Sequence, residues 1–172
     1  MKEFGKTILR CMRLAGVGLA LLGLGAAAPP PKQPAPPGAR KPVAILVNPA
    51  TPISNLTLAQ LREIMLGNRQ FWPNQQPIVL LVRAPVAPER TAVLHIIYQM
   101  SEAEFRQYWI ARIFRDEAAT APKIVYSASM TNELVVAIPG SIAFLEADEV
   151  QPGSKVLTIN GKRPGDKGYP LQ

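Results

Sequence analysis

The feature that most constrains the fold is an alternation. Short apolar runs, too brief for buried helices, are separated by stretches whose apolar residues recur every three or four positions. Val43–Val47, Ile78–Val82, Lys123–Tyr126, Ser141–Leu145 and Lys155–Ile159 read as strands, the first stopped by Pro42 and by Asn48-Pro49. Between them lie capped helices. Thr57 and Gln60 form a capping box ahead of Leu58, Leu61, Ile64 and Met65, and Gly67 supplies a left-handed stop. Pro88 sits where a first helical residue belongs, Val93, Leu94, Ile97 and Tyr98 make an inward face, and Met100 ends that helix. Ser101 and Glu104 form a second capping box, followed by a stripe of Phe105, Tyr108, Trp109 and Ile113. A fourth helix covers 131–138 and is closed by Gly140, and Asn160-Gly161 makes a tight turn. Strand and helix in alternation predict right-handed βαβ units. The fold class is therefore α/β, a three-layer, mainly parallel sheet with helices on both faces.

The N-terminus is organised differently. Lys2, Lys6, Arg10 and Arg13 precede an apolar run, Leu14–Leu24, and the small residues Gly25–Ala28, the pattern of an export signal. Residues 1–27 are read as a signal peptide, which places the mature chain in the periplasm or outside the cell. The other reading is a retained anchor, the chain's one route to a membrane. A spanning helix needs roughly 20 apolar residues, and this run is shorter and interrupted by Gly16, Gly18 and Gly23. Residues 28–42 are proline-rich and poor in large apolar groups, so they form an extended linker. Residues 43–172 make one domain. Cys11 is the only cysteine and precedes the apolar run, so the mature chain has no thiol for a disulfide, a metal or a nucleophile.

The net charge of +7 is concentrated outside that domain. The signal and the linker each contribute +3, leaving +1 for residues 43–172, which carry no footprint for a nucleic acid. Enzymatic signals are missing too. His95 is the only histidine and lies in an apolar helical stretch, and no Gly-x-Ser-x-Gly turn offers a nucleophile. The pairs Asp116-Glu117 and Asp148-Glu149 are adjacent in sequence and so diverge in space. They form neither an acid/base dyad nor a hard-cation site. No catalytic residue, metal site or cofactor is assigned.

Three stretches resemble the phosphate-binding subunits of ABC importers, which are type II periplasmic binding proteins. They are VAILVNPATPISNLTLAQLREIMLGNRQFWPN (Val43–Asn74), VVAIPGSIAFL (Val135–Leu145) and the terminal GYPL (Gly168–Leu171). The first resembles a strand leaving the hinge and the opening helix of the second lobe, ending in a tryptophan matched here by Trp72. The second resembles the helix and strand that return through the hinge. The resemblance implies a hinge and one lobe, a non-enzymatic role related to phosphate uptake, and the membrane subunits of an importer as partners.

Where the family holds phosphate, its second strand is followed by arginine, a spacer, then serine, glycine, threonine and arginine. Here the run is Arg83-Ala-Pro-Val-Ala87-Pro88-Glu89-Arg90. Both arginines match, but Pro88 has no N–H, Ala87 no hydroxyl, and Glu89 brings a negative charge. Two roles are open to Arg83 and Arg90: a two-pronged clamp on a small oxyanion, or, for Arg90, a surface ion pair with Glu89 or Glu63. Ser127 and Ser129 precede a helix and serve either the same anion or the helix cap. The leading expectation is a substrate-binding-like protein that holds a phosphate-like oxyanion weakly or with a partner. One alternative is an interaction module of the cell envelope that has lost phosphate. The other is a hydrolase, which would need His95 beside a carboxylate and a hydroxyl.

Overall fold

The computed structural model describes residues 41–172 apart from Ala119; the signal peptide and all but the end of the linker lie outside the described residues. The elements are β1 (Val43–Val47), β2 (Asn55–Leu56), α1 (Leu58–Met65), β3 (Val79–Arg83), α2 (Pro88–Val93), α3 (Glu102–Phe114), β4 (Lys123–Val125), α4 (Ala128–Ala137), β5 (Ser141–Glu146), β6 (Lys155–Val156) and β7 (Thr158–Ile159). Five strands form the main sheet in the order β4-β3-β5-β1-β6, and β2 and β7 make a separate parallel pair. β3 runs parallel to β4 and β5, whereas β1 is antiparallel to both β5 and β6. Four of the five strands thus point one way and only β1 is reversed.

The apolar runs are continuous because both faces of the sheet are covered. Side chains alternate across a strand. Val43, Ile45 and Val47 of β1 and Ile142 and Phe144 of β5 join α1, α2, α3, Trp72 and Tyr169 on one side. Ala44, Leu46, Ala143 and Leu145 meet Val135 and Leu134 of α4 on the other. This is the three-layer arrangement the alternation predicts. The C-terminus is sewn to the first strand, since Tyr169 Oη donates to Val43 O at 2.8 Å and Val43 N–H donates to Leu171 O at 2.8 Å.

Both capping boxes form, with Thr57 accepting from Gln60 N–H and Ser101 from Glu104 N–H. Elsewhere tertiary contacts move the boundaries. α4 begins at Ala128, not 131, because the Ser127 hydroxyl accepts from Met130 N–H at 3.1 Å. α2 widens into a π-helical turn over Leu94–Tyr98 and stops at Gln99, which takes a left-handed φ of 56°. The run Lys155–Ile159 divides: its first two residues pair with β1, and its last two turn away to pair with β2. In α3, Phe105 and Trp109 are buried but Ile113 is exposed. One position earlier, Arg112 takes the inward direction, donating to Asn68 Oδ1 at 2.7 Å and to Tyr108 Oη at 2.9 Å.

Gly140 couples two of these elements. Its φ is +76°, its carbonyl accepts from Trp72 Nε1–H at 2.9 Å, and a Cβ there would lie 2.2 Å from Pro77 O. Left-handed backbone alone costs an L residue roughly 1–2 kcal/mol, and the clash adds to it. Gly140→Ala is therefore expected to destabilise the domain by about 2 kcal/mol or more, read as a lower urea midpoint. An unchanged midpoint would show that the turn relaxes freely.

Candidate functional site

In open α/β sheets, ligands settle outside the carboxyl ends of the strands. In this domain that edge carries Arg83, the last residue of β3, which sits opposite Val125 at the end of β4. The loop 84–87 leads from it into α2, where Pro88 occupies the first helical position with a pre-set φ. The tight turn brings Glu89, the second helical residue, back onto the strand it has just left. Arg83 Nε–H donates to Glu89 Oε1 at 2.6 Å and Arg83 Nη1–H donates to Val125 O at 3.3 Å. The Glu89 side chain is only 1% exposed and that of Arg83 only 9%.

Arg90 turns the other way. Its Nε and Nη2 both donate to the carboxylate of Glu102 at 2.8 Å, a two-bond fork, and Nη1 donates to Arg83 O. The guanidinium lies over the Phe105 ring, 4.9 Å from its centroid. Phe105 in turn meets Tyr98 edge to face. Arg90 is 2% exposed while the Glu102 side chain is 33% exposed, so a buried guanidinium is met by a carboxylate that reaches the surface. Its partner is Glu102, neither Glu89 nor Glu63.

Ser127 follows β4 at the same edge, and its hydroxyl caps α4. Ser129 lies inside that helix and donates to Glu133 Oε1 at 3.0 Å. Among the described residues no side-chain hydrogen bond joins Ser127 or Ser129 to either arginine. The edge brings Arg83 and Ser127 to neighbouring strand ends while Arg90 points into the core.

Carboxylates dominate the remainder of this edge. Lys41 bridges Glu146 at 2.7 Å and Asp148 at 2.9 Å. Those two contacts hold its ammonium well above the ordinary lysine range, and the one with Lys41 holds Asp148 below the usual carboxylate range. The Arg90 fork likewise lowers Glu102. Glu149 is shifted upward, chiefly by burial and then by the charges of Glu89 and Glu146. It sits among negative charge that its surroundings do not fully offset.

Glu102 and Asn132 carry no signal in the sequence. Asn132 is buried, donating to Ala128 O at 2.9 Å and Glu149 O at 3.0 Å and accepting from Gln151 N–H at 2.9 Å, so it ties α4 to the segment after β5. Twelve positions separate Arg90 from Glu102, and no local periodicity couples them.

His95 is exposed and lines an open recess of about 680 Å³ with Ser101 and Glu102. The three residue types of a hydrolytic site are thus neighbours. Among the described residues no hydrogen bond joins the three: the Ser101 hydroxyl accepts from Glu104 N–H, and the Glu102 carboxylate is held by Arg90. Among the described residues no group of three or more His, Cys, Asp and Glu side chains is arranged for a metal. No described helix is long and apolar enough to cross a membrane.

No protein-family model matches the sequence, and no curated protein matches it. Solved structures do match by fold. An ABC-type phosphate transport receptor from Vibrio cholerae superposes with a TM-score of 0.59 at 23% identity, over 72% of this chain and 48% of the receptor. A phosphate ABC transporter substrate-binding protein from Clostridium perfringens, determined with bound phosphate, gives 0.58 at 18%, over 72% and 47%. PstS from Borrelia burgdorferi gives 0.60 at 16%, over 76% and 54%. The chain spans about half the length of each. Over that half, its sheet and helices are the α/β fold of one lobe of phosphate-transport receptors.

Proposed function

We propose that this is an exported, non-enzymatic recognition domain, related to the receptors of phosphate ABC importers, in which the protein's own Glu89 stands where an anion would be held. The observation that carries this reading is the Arg83–Glu89 pair at the carboxyl end of β3. A free phosphate competing for Arg83 would have to displace a carboxylate tethered six residues away and almost fully buried. It would also find no donor at Pro88 and no hydroxyl at Ala87. Arg90 offers nothing in exchange, because its fork is closed on Glu102. Recognition is then directed at a partner: another protein of the envelope or the membrane subunit of an importer.

A weaker oxyanion role through Arg83, Arg90, Ser127 and Ser129 is a second reading. The Ser127 hydroxyl and Arg83 do end on neighbouring strands. It requires Glu89 to swing out. Calorimetric titration of the purified protein with phosphate and sulfate tests both readings. No heat up to millimolar anion is expected, because charge-assisted bonds worth roughly 1.5–3 kcal/mol each are already made internally. Micromolar phosphate binding, lost in Arg83→Ala, would overturn the proposal and restore the receptor role.

A further inference from the structure

We infer that the domain carries a binding site at the end of the sheet opposite Arg83, and that its ligand is a small aromatic carboxylate. Val79 and Lys123 are the first residues of β3 and β4, whereas Arg83 and Val125 are the last. At that first end a recess of about 370 Å³ opens, lined by Ile64 of α1, Trp109 of α3, Leu80 of β3 and Phe71. Ile64, Leu80 and Trp109 are buried and make an apolar wall, while Phe71 is half exposed and adds a second aromatic ring. A concave, largely apolar recess with few polar groups is the usual form of a small-molecule site.

Contacts within the protein already set these walls. Phe71 bridges Pro77, Ile78 N–H donates to Gln70 O at 2.8 Å, and Trp72 N–H donates to Gln76 O at 2.9 Å, which closes the segment 70–78 into a turn. Gly67 makes room for the indole: a Cβ there would lie 2.8 Å from Trp109 Cη2. Arg112 fixes the same loop by donating to Gly67 O at 3.3 Å and to Asn68 Oδ1 at 2.7 Å. A recess held in this way needs little ordering when a ligand enters.

The charge of the lining has one sign. Arg69 and Lys123 both line the recess, and no Asp or Glu does. Among the described residues neither cation has a carboxylate within ion-pair distance. Arg69 donates Nε–H to Phe71 O at 3.3 Å, which leaves both of its Nη groups for a ligand. Arg69 is partly exposed and Lys123 exposed, so an entering head group can reach them. At the opposite end, by contrast, Arg83 and Arg90 are closed on Glu89 and Glu102. Two open cations beside an apolar, aromatic wall complement a carboxylate carried on an aromatic body. Inorganic phosphate gains nothing from the wall, and an apolar amine is repelled by both cations.

The test is titration of the ¹⁵N-labelled full-length protein with phenylpropanoate, and with phenylpropanamide as its uncharged counterpart. The expected result is saturable shifts at the Trp109 indole N–H and at the amides of Phe71 and Lys123, with the amides of Arg83 and Glu89 unmoved. Arg69→Gln and Lys123→Gln should each weaken phenylpropanoate about threefold, and the uncharged amide should bind about tenfold less tightly than the carboxylate, the scale of ion contacts open to solvent. Absence of saturable shifts, shifts centred on Arg83, or equal binding of carboxylate and amide would overturn the inference. The recess shares no residue with the Arg83–Glu89 pair, so this result and the phosphate titration above succeed or fail separately.

Discussion

Glu89→Leu is expected to lower the stability of the domain by about 3–5 kcal/mol, the range found when one member of a buried ion pair is removed. The reason is what remains behind. Arg83 is nearly buried, and without Glu89 its guanidinium keeps only the 3.3 Å bond to Val125 O. A charge in that position is largely shielded from water and has lost its hydrogen-bonded counter-ion. The companion variant Arg83→Leu/Glu89→Leu removes both charges and should recover most of the loss, since an apolar pair of similar volume often matches a buried ion pair. Urea unfolding of the two single variants and the double one would measure the coupling. If Glu89→Leu alone left the midpoint unmoved, Glu89 could not be the internal counter-ion on which the proposed function rests. The same variant should also uncover latent anion affinity at Arg83.

Arg90→Ala is expected to cost about 2–3 kcal/mol, less than removal of Glu89 because the Glu102 left behind is one-third exposed and regains water, through three losses at once. Glu102 loses its fork, Arg83 O loses a donor, and the Phe105 ring loses the guanidinium lying on it. Arg90→Lys should recover only part of this, because an ammonium cannot make two parallel bonds to one carboxylate. The pair also sets a pH dependence whose sign can be worked out. Glu102 is held below the ordinary carboxylate range by Arg90, so in the folded state it gives up its proton more readily than in the unfolded chain. Its stabilising contribution is complete above the unfolded carboxylate pKa and is lost as pH falls through the lowered folded value. Wild-type stability should therefore drop on acidification below that range. Glu102→Gln should flatten the drop, and an identical acid limb in wild type and variant would remove the Glu102 assignment.

The two arginines show how far local reading extends. Arg83 and Arg90 are visible in the sequence as candidate anion ligands, and the loss of donors at Ala87 and Pro88 is visible beside them. Their partners are not visible. Glu89 is sequence-adjacent to Arg90 yet bonds Arg83, because Pro88 starts a helix whose first turn aims Glu89 back at the preceding strand. Glu102 belongs to the next helix and reaches Arg90 only after the π-helical turn and the left-handed Gln99 have redirected the chain. Burial of these charges could not be anticipated from a residue type that is usually exposed.

By itself the sequence determined what depends on short-range physics. The strands β1, β3 and β5 follow from apolar runs covered on both faces, the capping boxes at Thr57 and Ser101 from reciprocal hydrogen bonds three residues apart, and the glycine stops from a φ that side chains resist. Tertiary structure alone decided the reversal of β1, the division of Lys155–Ile159 between two sheets and the closing of both guanidinia on carboxylates. Each of these depends on a hydrogen bond or ion pair between groups brought together only when the sheet assembles, and the energy of such a contact leaves no period in the chain that makes it.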